Sequence, residues 1–166
     1  MAAWRYVWLI AVGSVALASR AAQVEIPPEL RGWQSWVLDG AAYRNCPLLY
    51  AQSAGDAGGY RCAWPGQLQI DVDARGGNFA QRWVIDAPSW VQLPGSLEHW
   101  PRDVRINGAA AAVVAREGRP FLRLAVGQYA VSGRFVWESR PESLPIPVQT
   151  ALVELTVDGQ RIAQPE

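Results

Sequence analysis

The chain has 166 residues, of which 50% are hydrophobic, and its fifteen basic and fifteen acidic residues give a formal net charge of zero. Every basic residue is an arginine, and lysine is absent. Without a basic excess, the chain lacks the electrostatic footprint of a protein that binds nucleic acid or an anionic membrane surface. Its length fits one ordinary domain with its own core.

Residues 1–22 have the organisation of a secretory signal peptide. One arginine precedes a mostly apolar run over 6–18, and small residues stand at alternate positions at its end. This run is shorter than the roughly 20 residues that a membrane-spanning helix needs. We therefore predict export to the periplasm or beyond, with cleavage after residue 18 to 22. The alternative is an uncleaved membrane anchor.

Two cysteines, Cys46 and Cys62, lie in the part of the chain predicted to be exported. Because oxidising compartments favour pairing, we predict that they form a disulfide that closes the glycine-rich stretch between them. One histidine, His99, leaves too few ligands for a zinc site made by protein alone. The haem-attachment motif Cys-x-x-Cys-His is also absent from the sequence. We expect neither a metal nor a cofactor.

Residues 23–48 are predicted to hold one short helix and a connection. Apolar residues after Pro28 recur at close to helical spacing, and Gly40 can end the element. This spacing predicts an amphipathic helix. Trp33 and Trp36 would then be buried anchors.

From residue 68 onward the hydrophobic period changes to two, which is typical of half-buried strands. Prolines on both sides of the strand around Trp90 favour a sheet edge there. Regular turn signals favour a mainly β fold over 49–157, an antiparallel β-sandwich of the immunoglobulin or jelly-roll type. Residues 158–166 would be a truncated hairpin or the start of a following domain. Strands are predicted in 68–72, 79–85, 90–93, 104–106, 112–114, 121–124, 129–137 and 152–157. Turns are predicted at 65–66, 107–108, 117–118 and 158–159.

Several residues could carry chemistry, although each has a structural explanation as well. Ser96, Glu98 and His99 crowd one predicted loop, which suggests a hydrolase or merely polar groups that cap turns. Asp71 and Asp73 share one face of a strand, which suggests a carboxylate pair or a calcium ligand set, or merely a solvated face. No Gly-x-Ser-x-Gly motif supports the hydrolase reading.

Seven tryptophans follow the signal segment, a high number for a chain of this size. Exposed indoles stack on sugar rings or enter protein interfaces, whereas buried ones fill cores. Trp90 and Trp100, in edge or loop contexts, are the two candidates for ligand stacking. The other five are Trp33, Trp36, Trp64, Trp83 and Trp137.

Several segments together resemble the N-terminal region of large, membrane-anchored envelope proteins of proteobacteria. These segments are IPPELRGWQSWVLDG, CPLLY, RCAWPGQLQIDVDARGGNFAQRW, LPGSLEHWPRDVRING, GQYAVSGRFVW and RPESLPIPVQTALVELTVDG. The resemblance covers nearly all of the chain after the signal segment and places Cys46 and Cys62 at matching positions. The resemblance implies no enzymatic activity, so it assigns no catalytic residue to this chain. It implies that the chain is a fragment or a truncated form of a longer protein.

The sequence therefore predicts a non-catalytic exported module that acts in protein interaction or scaffolding in the bacterial envelope. The first alternative is a carbohydrate-binding module that uses Trp90 or Trp100, and the second is a hydrolase built around Ser96, Glu98 and His99. The expected partner is an envelope protein or a glycan. Contact with a membrane would come only through an uncleaved signal segment or a missing C-terminal part.

Overall fold

The computed structural model describes residues 27–33, 36, 40–49 and 57–163. The predicted signal segment lies outside these residues. The chain divides into two units, residues 1–35 and 36–166. No helix within the described ranges is long and apolar enough to cross a membrane.

In the first unit the predicted helix is a single turn, α1 (Pro28–Arg31), with a proline in its first turn. Trp33 lies beyond its end, so helical spacing does not orient its side chain, which is 62% exposed. In the second unit, Trp36 is 73% exposed. The prediction that these two tryptophans are buried anchors is therefore wrong.

The second unit is mainly β, as predicted from the period of two. Short 3₁₀ turns at Ala42–Asn45 and Ala57–Gly59 precede the strands. The strands are β1 (Ala63–Val72), β2 (Gly76–Ile85), β3 (Ser89–Gln92), β4 (Arg102–Ile106), β5 (Ala109–Ala110), β6 (Val114–Arg116), β7 (Arg119–Leu124), β8 (Gly127–Val136), β9 (Val153–Val157) and β10 (Gln160–Ile162).

These strands form two sheets. The large sheet has the order β10-β9-β1-β2-β8-β4-β5, and the small sheet has the order β3-β7-β6. The edge position predicted for the strand around Trp90 is confirmed, since this strand is β3. All neighbouring strands pair antiparallel except β1 and β9, which run parallel from Leu68↔Val153 to Val72↔Val157. The predicted, mainly antiparallel β fold is confirmed, and this parallel pair is the exception, because β9 returns only after the long proline-containing connection.

One core lies between the two sheets, as expected for a sandwich. Alternate residues of β1, β2 and β8 from the large sheet meet alternate residues of β3 and β7 from the small one. The buried residues of this core are Leu68, Ile70, Phe79, Trp83, Ile85, Val91, Leu93, Val104, Leu122, Leu124, Val131 and Phe135.

Three hairpin turns of two residues each occur where the sequence predicts them. Asn107 and Gly108, with φ of 49° and 83°, join β4 to β5. Glu117 and Gly118, with φ of 51° and 72°, join β6 to β7. The pair at 158–159 joins β9 to β10, also with positive φ at both residues. Positive φ at both central residues is what the twist of adjacent strands requires.

The turn predicted at Pro65 and Gly66 is wrong, because both residues lie inside β1. The register of β1 against β2 shifts between Pro65 and Leu68, which marks a bulge. Gln81, only 3% exposed on the core face of β2, donates from Nε2 to the Gly66 carbonyl oxygen at 3.0 Å. A bulge frees backbone groups from the ladder, and here a buried glutamine satisfies one of them.

Candidate functional site

The outer face of the small sheet combines aromatic and cationic side chains. Along β7, Pro120, Leu122 and Leu124 are buried, so the residues between them face outward. Neighbouring strands contribute to the same face, because Trp90 of β3 pairs with Arg123 and Arg116 of β6 pairs with Arg119. We name this surface the arginine–aromatic face. It consists of Trp90, Arg116, Arg119, Phe121 and Arg123.

Two guanidinium groups converge on the ring of Trp90. The Arg116 guanidinium carbon lies 4.6 Å from the Trp90 ring centroid and 5.6 Å from that of Phe121, so the side chain crosses the sheet. The Arg123 guanidinium carbon lies 5.6 Å from the Trp90 centroid. Each such cation–π contact contributes about 0.5–1 kcal/mol at an exposed site. A guanidinium stacked on a ring keeps N–H donors at its edge that can bind a carboxylate.

The charge of this face is uncompensated within the part of the chain that the structure describes. None of Arg116, Arg119 and Arg123 forms an ion pair there. Arg116 and Arg119 are moreover direct cross-strand partners, an arrangement of like charges that destabilises a sheet. An anion that binds between these arginines would offset their electrostatic repulsion. The face is therefore a candidate binding surface.

Three arginines elsewhere in the second unit have acidic partners. Arg140 Nη1 lies 2.7 Å from Asp158 Oδ2, and Arg161 Nε lies 3.3 Å from a Glu154 carboxylate oxygen. Arg134 is paired with Asp103. The small sheet differs in that three arginines without ion pairs among the described residues lie on one face beside an aromatic ring.

Trp90 also borders an open cleft with a volume of about 400 Å³. Tyr60, Arg61 and Gln149 supply polar groups to its walls, and the buried Trp83 contributes to its apolar part. The cleft adjoins the arginine–aromatic face, since Trp90 belongs to both. Aromatic and hydrogen-bonding groups together are typical of ligand-contacting surfaces.

The predicted disulfide is present and lies beside this cleft. Cys46 and Cys62 are joined with a Cα–Cα distance of 4.9 Å, and Cys62 lines the cleft. Next to the bridge, Leu48 pairs with Tyr60, and the Leu49 N–H donates to the Gly59 carbonyl oxygen at 2.8 Å. The bridge therefore fastens the base of the loop that it closes, as predicted.

Trp64 packs on the surface near this disulfide. Its Nε1 donates to Asp86 Oδ2 at 3.0 Å, and the Arg61 guanidinium carbon lies 5.3 Å from the centroid of its ring. The side chain is half-buried. Trp64 thus links the start of β1 to the end of β2.

Trp100, the second candidate for ligand stacking, lies apart from the first in the described structure. It is half-buried in the loop between β3 and β4 and does not line the cleft beside Trp90. Of the seven tryptophans, only Trp83 is fully buried. The sequence overestimated burial because an aromatic residue at an element end can face either side.

The loop with Ser96, Glu98 and His99 forms a closed turn. Ser96 Oγ accepts the His99 backbone N–H at 3.2 Å, and the His99 ring lies edge-on to Trp137 at a centroid distance of 6.3 Å. Glu98 is exposed. Among the described residues, no side-chain base is hydrogen-bonded to the Ser96 hydroxyl, so these contacts support the turn-capping explanation of the loop.

Asp71 and Asp73 also have separate surroundings. Asp73 Oδ1 accepts the backbone N–H groups of Arg75 and Gly76 at 2.7 and 2.9 Å, which closes the turn between β1 and β2. Asp71 lines an open groove on the large sheet together with Asn78 and Arg105. In the described part of the chain, no three His, Cys, Asp or Glu side chains are grouped to hold a metal ion.

The arginines of the arginine–aromatic face were missed by the sequence analysis, although Trp90 was singled out. The signal was present in Arg119, Phe121 and Arg123, which alternate with apolar residues and so share one outward face. Nothing local, however, places Trp90 and Arg116 beside them. That placement depends on which strands pair.

Comparisons with known proteins assign no family. No protein-family model matches the chain, and no curated protein does. Among solved structures, similarity is found to an M1 zinc metallopeptidase from Deinococcus radiodurans, with 13% identity over 50% of this chain and a TM-score of 0.35. A mutant of that enzyme bound to a Tyr-Ser-Ala substrate matches with 11% identity over 59% of this chain and a TM-score of 0.37. The matches span 21% and 32% of those chains and carry no functional argument.

Proposed function

We propose that this chain is a non-catalytic exported module that binds another protein of the bacterial envelope. The observation that carries the proposal is the arginine–aromatic face, where Arg116, Arg119 and Arg123 lie together without acidic partners among the described residues. Arginine and tryptophan are the residue types that contribute most to protein interfaces. The module would use this face as its contact surface.

The cellular location in the proposal is supported by chemistry and by sequence. A disulfide between Cys46 and Cys62 indicates an oxidising compartment, which agrees with export. The signal-like residues 1–22 and the resemblance to envelope proteins give the more specific location, the periplasm. The module would then be the N-terminal part of a larger, membrane-anchored protein.

A carbohydrate-binding function is less well supported by the surroundings of Trp90. Sugars stack on the open face of an aromatic ring, and the Arg116 guanidinium lies 4.6 Å from the centroid of this one. A glycan would have to displace that contact. Binding of a glycan through Trp90 or Trp100 therefore remains the alternative outcome of the test.

The test is capture of envelope components by the purified module and by a double variant, Arg116→Gln with Arg123→Gln. The variant removes two charges that converge on Trp90, so we expect capture to fall by about tenfold or more, because charged hydrogen bonds contribute about 1.5–3 kcal/mol each. Arg75→Gln with Arg82→Gln removes the same charge from exposed positions outside the small sheet and should leave capture unchanged.

Treatment of the extract with proteinase before capture distinguishes the two functions. Loss of the captured material after this treatment supports a protein partner. Capture that survives proteinase and is lost in Trp90→Ala or Trp100→Ala would establish the carbohydrate alternative. Equal capture by the two double variants would overturn the proposed contact surface.

A further inference from the structure

We infer that the partner binds through an extended acidic segment that adds a strand to the small sheet at β6. This inference rests on the proposed function and names the chemistry of the partner. Three observations carry it: an open strand edge, arginines without ion pairs on the two strands at that edge, and an exposed apolar residue at the start of β6. Each concerns residues of Val114–Arg116 or their neighbours on β7.

The edge of β6 is open. The strand lies at the end of the sheet order β3-β7-β6, and all three of its residues are exposed. The opposite edge strand, β3, is half-buried or buried at every residue. An exposed edge presents backbone donors and acceptors that can pair with another strand.

The backbone of Ala115 points its hydrogen-bonding groups toward that open edge. In a hairpin with a two-residue turn, the residues next to the turn exchange the ladder hydrogen bonds, and here these are Arg116 and Arg119. The next pair, Ala115 and Pro120, is then a non-hydrogen-bonded pair. Proline, which has no N–H, fits this position. The N–H and C=O of Ala115 are thus directed away from β7.

Side chains next to this edge define the composition of the added strand. Val114 and Arg116 are two residues apart, so both lie on the outer face, where Val114 is 43% exposed. A strand alongside β6 would place alternate residues of its own on the same face. An apolar residue would pack on Val114. A carboxylate would draw the Arg116 guanidinium back from Trp90, where it lies 4.6 Å from the ring centroid, toward the β6 edge.

An acidic polypeptide fits these features better than an anionic lipid or an acidic glycan of the envelope. A lipid headgroup or an acidic glycan could neutralise the arginines, but neither supplies a strand backbone for Ala115. The arginine–aromatic face is also small, and the chain as a whole has no net positive charge to hold it on an anionic membrane. The combination of edge and charge therefore favours an acidic strand.

The test uses synthetic peptides and the whole exported chain. The acidic probe is Thr-Val-Glu-Val-Glu-Val-Thr with blocked ends, and its control is the same peptide with both glutamates replaced by glutamine. We expect fluorescence anisotropy to show about tenfold or more weaker binding of the glutamine peptide, since two charge-assisted contacts are lost. Equal affinity for both peptides would overturn the inference.

Variants separate the edge from the charge. Ala115→Pro removes an N–H that faces the open edge and should abolish binding of the acidic probe, whereas Ala112→Pro, outside the strands, should not change it. Because a proline variant can also unfold, amide hydrogen exchange of the unmodified chain gives a second measurement. The Ala115 amide should become protected when the acidic probe is added, and absence of protection contradicts strand addition.

The remaining outcomes are equally decisive. Tighter binding of alginate oligosaccharides or of phosphatidylglycerol vesicles than of the acidic probe would replace the acidic strand by a glycan or a membrane. If Arg116→Gln with Arg123→Gln abolishes envelope capture but Ala115→Pro does not, the proposed function stands and strand addition is wrong. If neither change affects capture, the proposed function itself fails.

Discussion

At the scale of single residues, Gly133 shows how a missing side chain makes room in the core. It pairs with Phe79 across β2 and β8, and a Cβ built on it would lie 2.6 Å from Phe79 Cε1 and 3.0 Å from Val104 Cγ2. The Phe79 ring covers the glycine and lies 5.5 Å from Phe135 between ring centroids. Glycine within a strand is typical of such a close approach by a neighbouring side chain.

We expect Gly133→Val to lower the free energy of unfolding by about 1–3 kcal/mol, because the added atoms force the buried Phe79 and Val104 to move. Urea denaturation followed by tryptophan fluorescence measures the difference. Ser132→Val is the matched control, since its side chain faces outward on the same strand and should change stability by less than about 0.5 kcal/mol. Equal stability of the two variants would contradict this packing.

At the scale of elements, hairpin turns and strand faces follow from the sequence, whereas strand bounds and sheet membership do not. The three two-residue turns were predicted from their glycines and the polar residue before each glycine. Pro65 and Gly66 carry the same signal, yet they form a bulge within β1, because Gln81 and the neighbouring strand hold them there. Local residue preference cannot distinguish a turn from a bulge, since both suit glycine.

The turn at Glu117 offers a stabilising change. Glu117 has φ of 51°, a conformation that asparagine adopts more readily than glutamate. We expect Glu117→Asn to raise the free energy of unfolding by roughly 0.5–1 kcal/mol, measured by urea denaturation. Glu98→Asn, in an exposed loop without positive φ, is the control. A destabilised Glu117→Asn variant would show that the glutamate side chain has a role of its own.

At the scale of the whole molecule, one disulfide fastens the N-terminal end of the sandwich. Cys46 is 5% exposed, and the bridge joins the segment before the sheets to the residue that precedes β1. Within the described part of the loop between the cysteines, Leu48 pairs with Tyr60 as in an antiparallel strand. The bridge therefore limits how far this segment can separate from the sheets.

Reduction of the disulfide should lower the free energy of unfolding by about 3 kcal/mol, because the unfolded chain gains the freedom of a loop with fifteen residues between its cysteines. Urea denaturation with and without reductant measures this loss. The variant Cys46→Ala with Cys62→Ala is the control, and reductant should not change its stability. Two free thiols in the denatured, unreduced protein would refute the bridge.

The sequence by itself determined the inward faces of the strands, the three hairpin turns and the disulfide. Period-two alternation and turn residues act over short distances along the chain. Two cysteines allow only one disulfide pairing. Only the tertiary structure decided that β9 pairs parallel with β1 and that Trp90, Phe121, Arg116 and Arg123 meet. Alternation fixes the face of each side chain but not its neighbouring strand, so the arginine–aromatic face arises from strand pairing alone.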